Sequence, residues 1–537
     1  MEREYKITNI KLILITALFL VISGNYAFFN NVLIAYPPNL NNSAFLGSLF
    51  IFFTCINIIL FTLVCFNRTT KPILIIVLII SSFAAYFMNT YNVIIDDSMI
   101  DNILKTDANE TLDLFSFKQV IYFLLLGVLP AVFVYKVTII QVSFRKAILS
   151  NLMLLLGASC VSVALILSLS SFYASFFREH KALRYYANPS YYIYSTVKYV
   201  HGLFGSGVTT VEEMGLDANI PPSDVQRELV IFVVGETARA DHFSLNGYHK
   251  KTNPLLEKEN VVSFGNVLSC GTSTAHSVPC MFSIYGHSDY TKNKGESTEN
   301  VLDILLHAGV NVLWLDNNSS SKGVADRVDY QDYKSPEINP VCDVECRDEG
   351  MLVNLQSYVD AHPTGDILIV LHQMGNHGPA YFKRYPKKFE KFTPTCQNNQ
   401  LEECTKAEIN NAYDNAILYT DYFLSKTIKF LKNNDQKFEA VLFYVSDHGE
   451  SLGENNMYLH GLPYVIAPYE QIHVPMLMWF SDHLIGSEID FKQLVKQKNR
   501  KLSHDNVFHT LLGLMEIDSE LYDENMDIVD HDHENDS

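Results

Sequence analysis

Residues 269–280 read Ser-Cys-Gly-Thr-Ser-Thr-Ala-His-Ser-Val-Pro-Cys. Three consecutive hydroxyl side chains, Thr272, Ser273 and Thr274, and then Ser277 lie between Cys270 and Cys280. Hydroxyls this dense ordinarily mark a solvated turn. Clamped by a disulfide, the same turn is rigid enough to present one hydroxyl as a nucleophile. A hydroxyl used this way needs an activator, and metal-type residues recur elsewhere in the chain. Glu236 stands in Gly235-Glu236-Thr237, and Asp447 and His448 stand in Ser446-Asp447-His448, each after an apolar run. A carboxylate–carboxylate–imidazole set with a fourth position suits zinc. Taken alone, Asp447-His448-Gly449-Glu450 also fits a helix N-cap followed by a turn; adding Glu236 favours the metal. Spacing does not rank Thr272, Ser273 and Thr274.

The elements that would position these groups are short apolar runs. Leu229–Val234, Val310–Leu315, Ile367–Leu371 and Ala440–Val445 each end in polar residues, and helical candidates such as Thr298–Ala308 and Glu408–Leu431 lie between them. Continuous apolar strands alternating with helices predict a mostly parallel central sheet covered on both faces, an α/β/α domain. Ligand groups in such sheets collect beyond the carboxyl ends of the strands. Glu236, Asp316, His372, Asp447 and His448 all fall there.

The first third of the chain has a different composition. Leu12–Phe29, Ser43–Phe66, Pro72–Phe87, Val120–Tyr135 and Ala147–Phe177 are uncharged apolar runs, most near or above the ~20 residues of a spanning helix. Five transmembrane helices are predicted. Arg3, Lys6, Lys11, Arg68, Lys71, Lys136, Arg145 and Lys146 make alternate loops basic, which puts the N-terminus in the cytoplasm and the region after Phe177 outside. The acidic loop Tyr91–Phe117 is either a solvated loop or an aid to lipid headgroup binding. The predicted domains are a five-helix membrane domain over 1–177, an interfacial helix and bridging linker over 178–225, and a catalytic domain over 226–537. Cys55, Cys65 and Cys160 sit in apolar runs and read as small packed hydrophobes. Cys270/Cys280, Cys342/Cys346 and Cys396/Cys404 are near neighbours, which fits three disulfides and an oxidising compartment. A formal net charge of −19 argues against nucleic-acid binding.

Several motifs together carry a resemblance. Val234-Gly235-Glu236-Thr237-Ala238-Arg239-Ala240-Asp241, the Cys270–Cys280 segment, Asp316-Asn317-Asn318 with Lys322-Gly323, His372-Gln373-Met374-Gly375-Asn376-His377-Gly378-Pro379 and Ser446 to Asn455 are similar to those of the lipid A phosphoethanolamine transferases. That family includes the mobile colistin-resistance enzymes and lies in the alkaline phosphatase/sulfatase superfamily. The resemblance runs from the helical anchor to the C-terminal domain. It implies that Thr274 is the nucleophile and a zinc ligand, and that Glu236, Asp447 and His448 complete the zinc site. It also implies that Asn318, Lys322, His377 and His460 hold the substrate phosphate or a second, weaker zinc. The implied reaction moves phosphoethanolamine from phosphatidylethanolamine through Thr274 to a lipid A phosphate. The implied setting is a monomer in the bacterial inner membrane with its catalytic domain in the periplasm. The implied consequence is a less negative outer membrane and polymyxin (colistin) resistance. The chemistry is consistent: a free threonine hydroxyl is a poor nucleophile, and zinc lowers the pKa of an oxygen it binds by several units.

Other readings are weaker. A sulfatase needs Cys or Ser followed at two-residue steps by Pro and Arg, and Thr274-Ala275-His276-Ser277 does not fit. A phosphodiesterase using water shares the metal logic. A glycerophosphate-transferring relative is disfavoured by the cysteine pairs, and an inactive binding protein by the intact set of ligands. His504 and His509 are expected to cap or pack a final helix, and the acidic tail with His531 and His533 to be solvated.

Overall fold

The computed structural model describes residues 5–106, 108–178, 180–205, 210–222, 224–485 and 489–529. The tail histidines His531 and His533 lie outside the described residues. The chain divides into two units, Met1–Ile100 with Phe115–Leu203 and Asp101–Leu114 with Phe204–Ser537.

The first unit is helical. Leu40–Val64, Thr70–Tyr91, Phe117–Lys136 and Phe144–Ser168 are each long and apolar enough to cross a membrane. The first predicted span is a broken pair, Asn9–Ser23 and Tyr26–Ala35, bent by 58°. The break has a local cause. Asn25 and Asn188 exchange amide bonds, with Asn25 Nδ2 donating to Asn188 O at 2.6 Å and Asn188 N donating to Asn25 Oδ1 at 2.9 Å. Asn188 Nδ2 also donates to the Gly24 carbonyl at 3.0 Å, so polar partners take over where the helix ladder stops. The last apolar run also splits, into Phe144–Ser168 and Ser170–Arg178. Beyond it come a 3₁₀ turn, Lys181–Tyr186, and a helix, Ser190–Gly205. Cys55 and Cys65 are buried as expected, but Cys160 is exposed on its helix.

The second unit is built on an eight-stranded sheet. In chain order its strands are β1 (Glu228–Gly235), β2 (Val261–Leu268), β3 (Asn311–Asp316), β4 (Asp329–Asp332), β5 (Ile367–His372), β6 (Glu439–Ser446), β7 (His473–Phe480) and β8 (Leu502–Ser503). Their spatial order is β8-β2-β7-β6-β1-β5-β3-β4, and β7 is antiparallel to both its neighbours while the other pairings are parallel. Every residue of β1, β5 and β6 is buried, which is why these runs are apolar without alternation. Val230, Phe232 and Val234 of β1 enter one continuous core with Val441, Phe443 and Val445 of β6 and Leu511 of the last helix. The long helix Lys406–Lys432 starts at a capping box, in which Thr405 Oγ1 accepts from Glu408 N and Glu408 Oε2 accepts from Thr405 N.

The acidic loop Tyr91–Phe117, read from the sequence as solvated or as an aid to lipid headgroup binding, contains two helices, Asp97–Lys105 and Ala108–Asp113. Its stretch Asp101–Leu114 belongs to the second unit. There Lys292 pairs with Asp101, and Arg384 and Lys383 both pair with Asp113.

Candidate metal centre and active site

Register brings the strand ends level. Gly235 of β1 is paired with Ser446 of β6, and His372 of β5 is paired with Val234 on one side and Asp316 on the other. The chain leaving β1 and β6 therefore delivers Glu236 and Asp447-His448 side by side, and Asp447 N donates to Gly235 O at 2.9 Å. The loop after β5 closes over Glu236, whose carbonyl accepts from Asn376 N at 3.0 Å. Gly375 makes that approach with φ 51°, and a Cβ there would lie 2.8 Å from the Glu236 carbonyl oxygen. Only glycine meets both conditions without displacing Glu236.

Glu236, Asp447 and His448 offer ligand atoms that all lie within 4.8 Å of one another, and all three residues are buried. The His448 Nε2 is 3.5 Å from Glu236 Oε1 and 3.3 Å from Asp447 Oδ2. Its Nδ1 lies 2.9 Å from the Gly449 carbonyl, which fixes Nδ1 as the protonated nitrogen and leaves Nε2 as a lone-pair donor. Asp447 is held through Oδ1, which accepts from Thr237 N at 3.0 Å and His448 N at 2.7 Å. Its Oδ2 is buried and accepts no hydrogen bond. A buried carboxylate oxygen without a donor, facing a second carboxylate and an imidazole lone pair, fits a cation. The donor set, two oxygens and one nitrogen with room for a fourth ligand, fits zinc.

The electrostatics agree. Burial opposes ionisation of Glu236, yet His448, His377 and the Thr237 hydroxyl hold its carboxyl down at about 2. Burial and the Glu236 charge push Asp447 up, to about 7. His448 is lowered by burial and raised by Asp447 and Glu236, and the net direction is up. The two carboxylates thus compete for one balancing positive charge.

Thr274 supplies the fourth corner. Its Oγ1 lies 3.2 Å from Glu236 Oε2, 3.4 Å from Glu236 Oε1 and 3.4 Å from His448 Nε2. It is the first residue of the helix Thr274–Met281, and Ser273 O accepts from the amides of His276 and Ser277. The neighbouring hydroxyls face elsewhere or serve structure: Thr272 Oγ1 donates to Leu462 O at 2.7 Å, and Ser277 Oγ donates to the Asp447 carbonyl. The Cys270–Cys280 disulfide closes the turn and helix together, and Cys342–Cys346 and Cys396–Cys404 are also paired. Beneath the turn, His504 Nδ1 accepts from Cys270 N at 3.1 Å and its Nε2 donates to Ser446 O at 2.9 Å. One buried ring therefore ties the hydroxyl-rich turn to the end of β6. Burial drives its pKa down to about 3, so it is neutral.

Asn318, Lys322, His377 and His460 lie around this cluster. Asn318 Nδ2 donates to Glu236 Oε2 at 2.7 Å and to Gln373 O at 2.8 Å. Ser319 Oγ donates to Asn318 Oδ1 at 3.1 Å and accepts from Lys322 Nζ, which links Lys322 to the site. Lys322 and Ala275 also line a cleft of about 430 Å³. The His460 ring stacks 4.3 Å from that of His448 and 5.7 Å from that of His377. Glu450 Oε2 lies 3.1 Å from His460 Nδ1, and Tyr381 OH donates to Glu450 Oε1 at 3.0 Å.

Two readings of the strand-end residues are resolved. Asp447-His448 caps no helix; after β6 the chain runs through a loop to the short strand Ser451–Leu452. Asp316 and His372 do sit at strand ends, but they bond each other, Nδ1 to Oδ2 at 3.0 Å, and stay outside the three-residue cluster. Asp316 also accepts from Trp314 Nε1 and Asn318 N, so it shapes the turn that carries Asn318. Glu450, Thr237 and His504 support the site and were not assigned to it from sequence. The only available signal was their position: Thr237 is next to Glu236, Glu450 is two residues from His448, and His504 opens the last helix.

A sulfatase family model matches residues 228–517, and a phosphoethanolamine transferase EptA/EptB model matches residues 53–203. The chain is 42% identical over 527 residues to the phosphatidylethanolamine transferase Mcr-2 of Escherichia coli, with 96% of each covered. It is 41% identical over 531 residues to the phosphoethanolamine transferase EptA of Escherichia coli strain K12, again with 96% of each covered. Among solved structures, the integral membrane lipooligosaccharide phosphoethanolamine transferase A of Neisseria meningitidis superposes with a TM-score of 0.94 at 37% identity, covering 98% of this chain and 99% of that one. An apolar helical unit, a mostly parallel alkaline phosphatase-like sheet domain and near-complete coverage at this identity make the chain a membrane protein of the phosphoethanolamine transferase family.

Proposed function

We propose that this protein transfers phosphoethanolamine from phosphatidylethanolamine to a phosphate of lipid A, through a covalent intermediate on Thr274, with zinc as its cofactor. The observation that carries the reading is the Thr274 hydroxyl lying 3.2 Å from Glu236 and 3.4 Å from His448, inside a buried two-carboxylate, one-imidazole cluster. Glu236, Asp447, His448 and Thr274 would hold the zinc. Zinc in that position is a Lewis acid that favours deprotonation of a hydroxyl and neutralises phosphoryl oxygens.

The protein's own groups do the rest. Thr274 Oγ1 attacks the phosphorus of phosphatidylethanolamine, the phosphorus–oxygen bond to diacylglycerol breaks, and the hydroxyl proton ends on the departing diacylglycerol oxygen. A lipid A phosphate oxygen then attacks the same phosphorus, the phosphorus–Thr274 Oγ1 bond breaks, and the proton carried by the attacking phosphate monoester ends on Thr274 Oγ1. The roles of His377, His460, Lys322 and Asn318 are to hold phosphoryl oxygens, because such transfers need positioning and charge neutralisation more than covalent help. With Nδ1 committed to Glu450, His460 offers Nε2 to the substrate. A second, weaker zinc near these histidines remains part of the proposal.

Both substrates are membrane lipids, which gives a reason for the apolar helices. We place the unit Asp101–Leu114 with Phe204–Ser537 in the periplasm, the membrane helices in the bacterial inner membrane, and Ser190–Gly205 at its surface. The product carries an added amine, so the lipid A surface becomes less anionic and binds cationic polymyxins less well. The experiment is intact-protein mass measurement after incubation with phosphatidylethanolamine, with lipid A mass spectra from cells expressing the protein. A phosphoethanolamine adduct that disappears in Thr274→Ala, together with loss of lipid A modification, is expected. Undiminished modification by Thr274→Ala would overturn the assignment.

A further inference from the structure

The opposite end of the sheet holds a second acidic cluster. Glu228 opens β1 and Glu439 opens β6, and the two are paired in register. Seven residues separate Glu228 from Gly235, so this end is roughly 23 Å from the proposed zinc centre at ~3.3 Å per residue. Glu516, in the turn after the last helix, completes a set whose ligand oxygens lie within 4.8 Å of one another. Glu228 also belongs to a similar set with Asp224 and Asp366.

Carboxylates in a group are common on protein surfaces; this one differs because its central member is inside. Glu228 is 3% exposed, and neither of its carboxylate oxygens has a hydrogen-bond donor. The Asp366 carboxyl is within reach of it, but two carboxylates bond only by sharing a proton. Arg227, next to Glu228 in sequence, sends its guanidinium to the carbonyls of Gly365 and His362. Glu228, Glu439 and Glu516 line a cavity of about 10 Å³, room for one water-sized occupant. Leaving a buried carboxylate without donor or counter-charge is costly.

We infer that Glu228, Glu439 and Glu516 bind a hard divalent cation, calcium by preference, at the end of the sheet remote from the active site. The donors are all oxygen, which excludes the nitrogen and sulfur character zinc favours. Oxygens around one calcium ion at ~2.4 Å stand no more than about 5 Å apart, as these can. The ion would tie the first residues of β1 and β6 to the turn that closes the last helix.

The test is equilibrium dialysis of the detergent-solubilised full chain against radioactive calcium, with zinc present throughout, combined with thermal unfolding. One calcium per chain is expected at about 1 mM or below. Binding should weaken at least about tenfold in Glu228→Gln, with zinc content unchanged, and calcium should raise the midpoint of the wild type alone. Glu516→Gln, altered in a half-buried turn, gives the same readouts if Glu228→Gln fails to fold. No stoichiometric calcium in the wild type, or equal binding in the wild type and a folded variant, overturns the inference. So does a shared proton instead of a cation: a wild type whose midpoint falls as pH rises, indifferent to calcium, with that fall removed in Glu228→Gln.

Discussion

Thr274 is the one hydroxyl of its turn that reaches both a carboxylate and an imidazole; Thr272 and Ser277 are committed to backbone carbonyls. His460 is set by a neighbour in a comparable way. Glu450, which accepts from the Tyr381 hydroxyl, lies 3.1 Å from His460 Nδ1 and so orients the ring. Glu450→Gln keeps the shape but offers an amide in place of a carboxylate. It is expected to lower phosphoethanolamine transfer by about 10- to 100-fold, the usual cost of losing the group that orients a site histidine. Metal analysis should find zinc retained, since Glu236, Asp447 and His448 do not depend on Glu450 for their bonds.

Among the elements, the helix Lys406–Lys432 does more than cover the sheet. Asp421, in its middle, accepts from Leu255 N at 3.0 Å and Leu256 N at 2.9 Å and so anchors the loop before β2. Burial pushes its carboxyl up, to about 7 from an ordinary value of 3.8. The folded protein therefore keeps a proton there that the unfolded chain releases. The contribution is fully present below about pH 4 and is lost as pH rises through about 7. Asp421→Asn should be less stable at low pH, because an amide cannot accept both bonds, but its stability should decline less steeply across that window. Thermal midpoints at intervals between the two pH values check this, and parallel profiles would refute it. The strands show another dependence. Because β1 and β6 pair in parallel with Gly235 opposite Ser446, a one-residue slip between them would separate Glu236 from Asp447.

For the molecule as a whole, the proposed zinc centre joins the loop after β1, the loop after β6 and the disulfide-closed turn before β3. A bound cation there would also relieve the mutual repulsion of two buried carboxylates. Removing metal with a chelator should abolish transfer and lower the unfolding midpoint, by mass action on the folded state. Zinc should restore both, and magnesium, which prefers six oxygen ligands, should not. Recovery with magnesium alone would argue against the nitrogen-containing ligand set.

Much of this protein was legible one residue at a time. Apolar runs longer than a bilayer, and apolar runs too short for one but punctuated by acids, carry their meaning in composition, since burial on all sides leaves no alternation to decode. Near-neighbour cysteines likewise announced their pairs. What pairing and packing alone decided was which polar residues share a space. Asp316 and His372 carry the same strand-end signal as Glu236 and Asp447, yet they neutralise each other, because adjacent strands place them 3.0 Å apart. Asn25, at the break in the first span, is bonded by Asn188, which is distant in sequence. Glu228 and Glu439 look like ordinary strand-start acids until register sets them together in a buried cavity. In each case the deciding distance is between residues far apart in the chain, and a list of residues does not contain it.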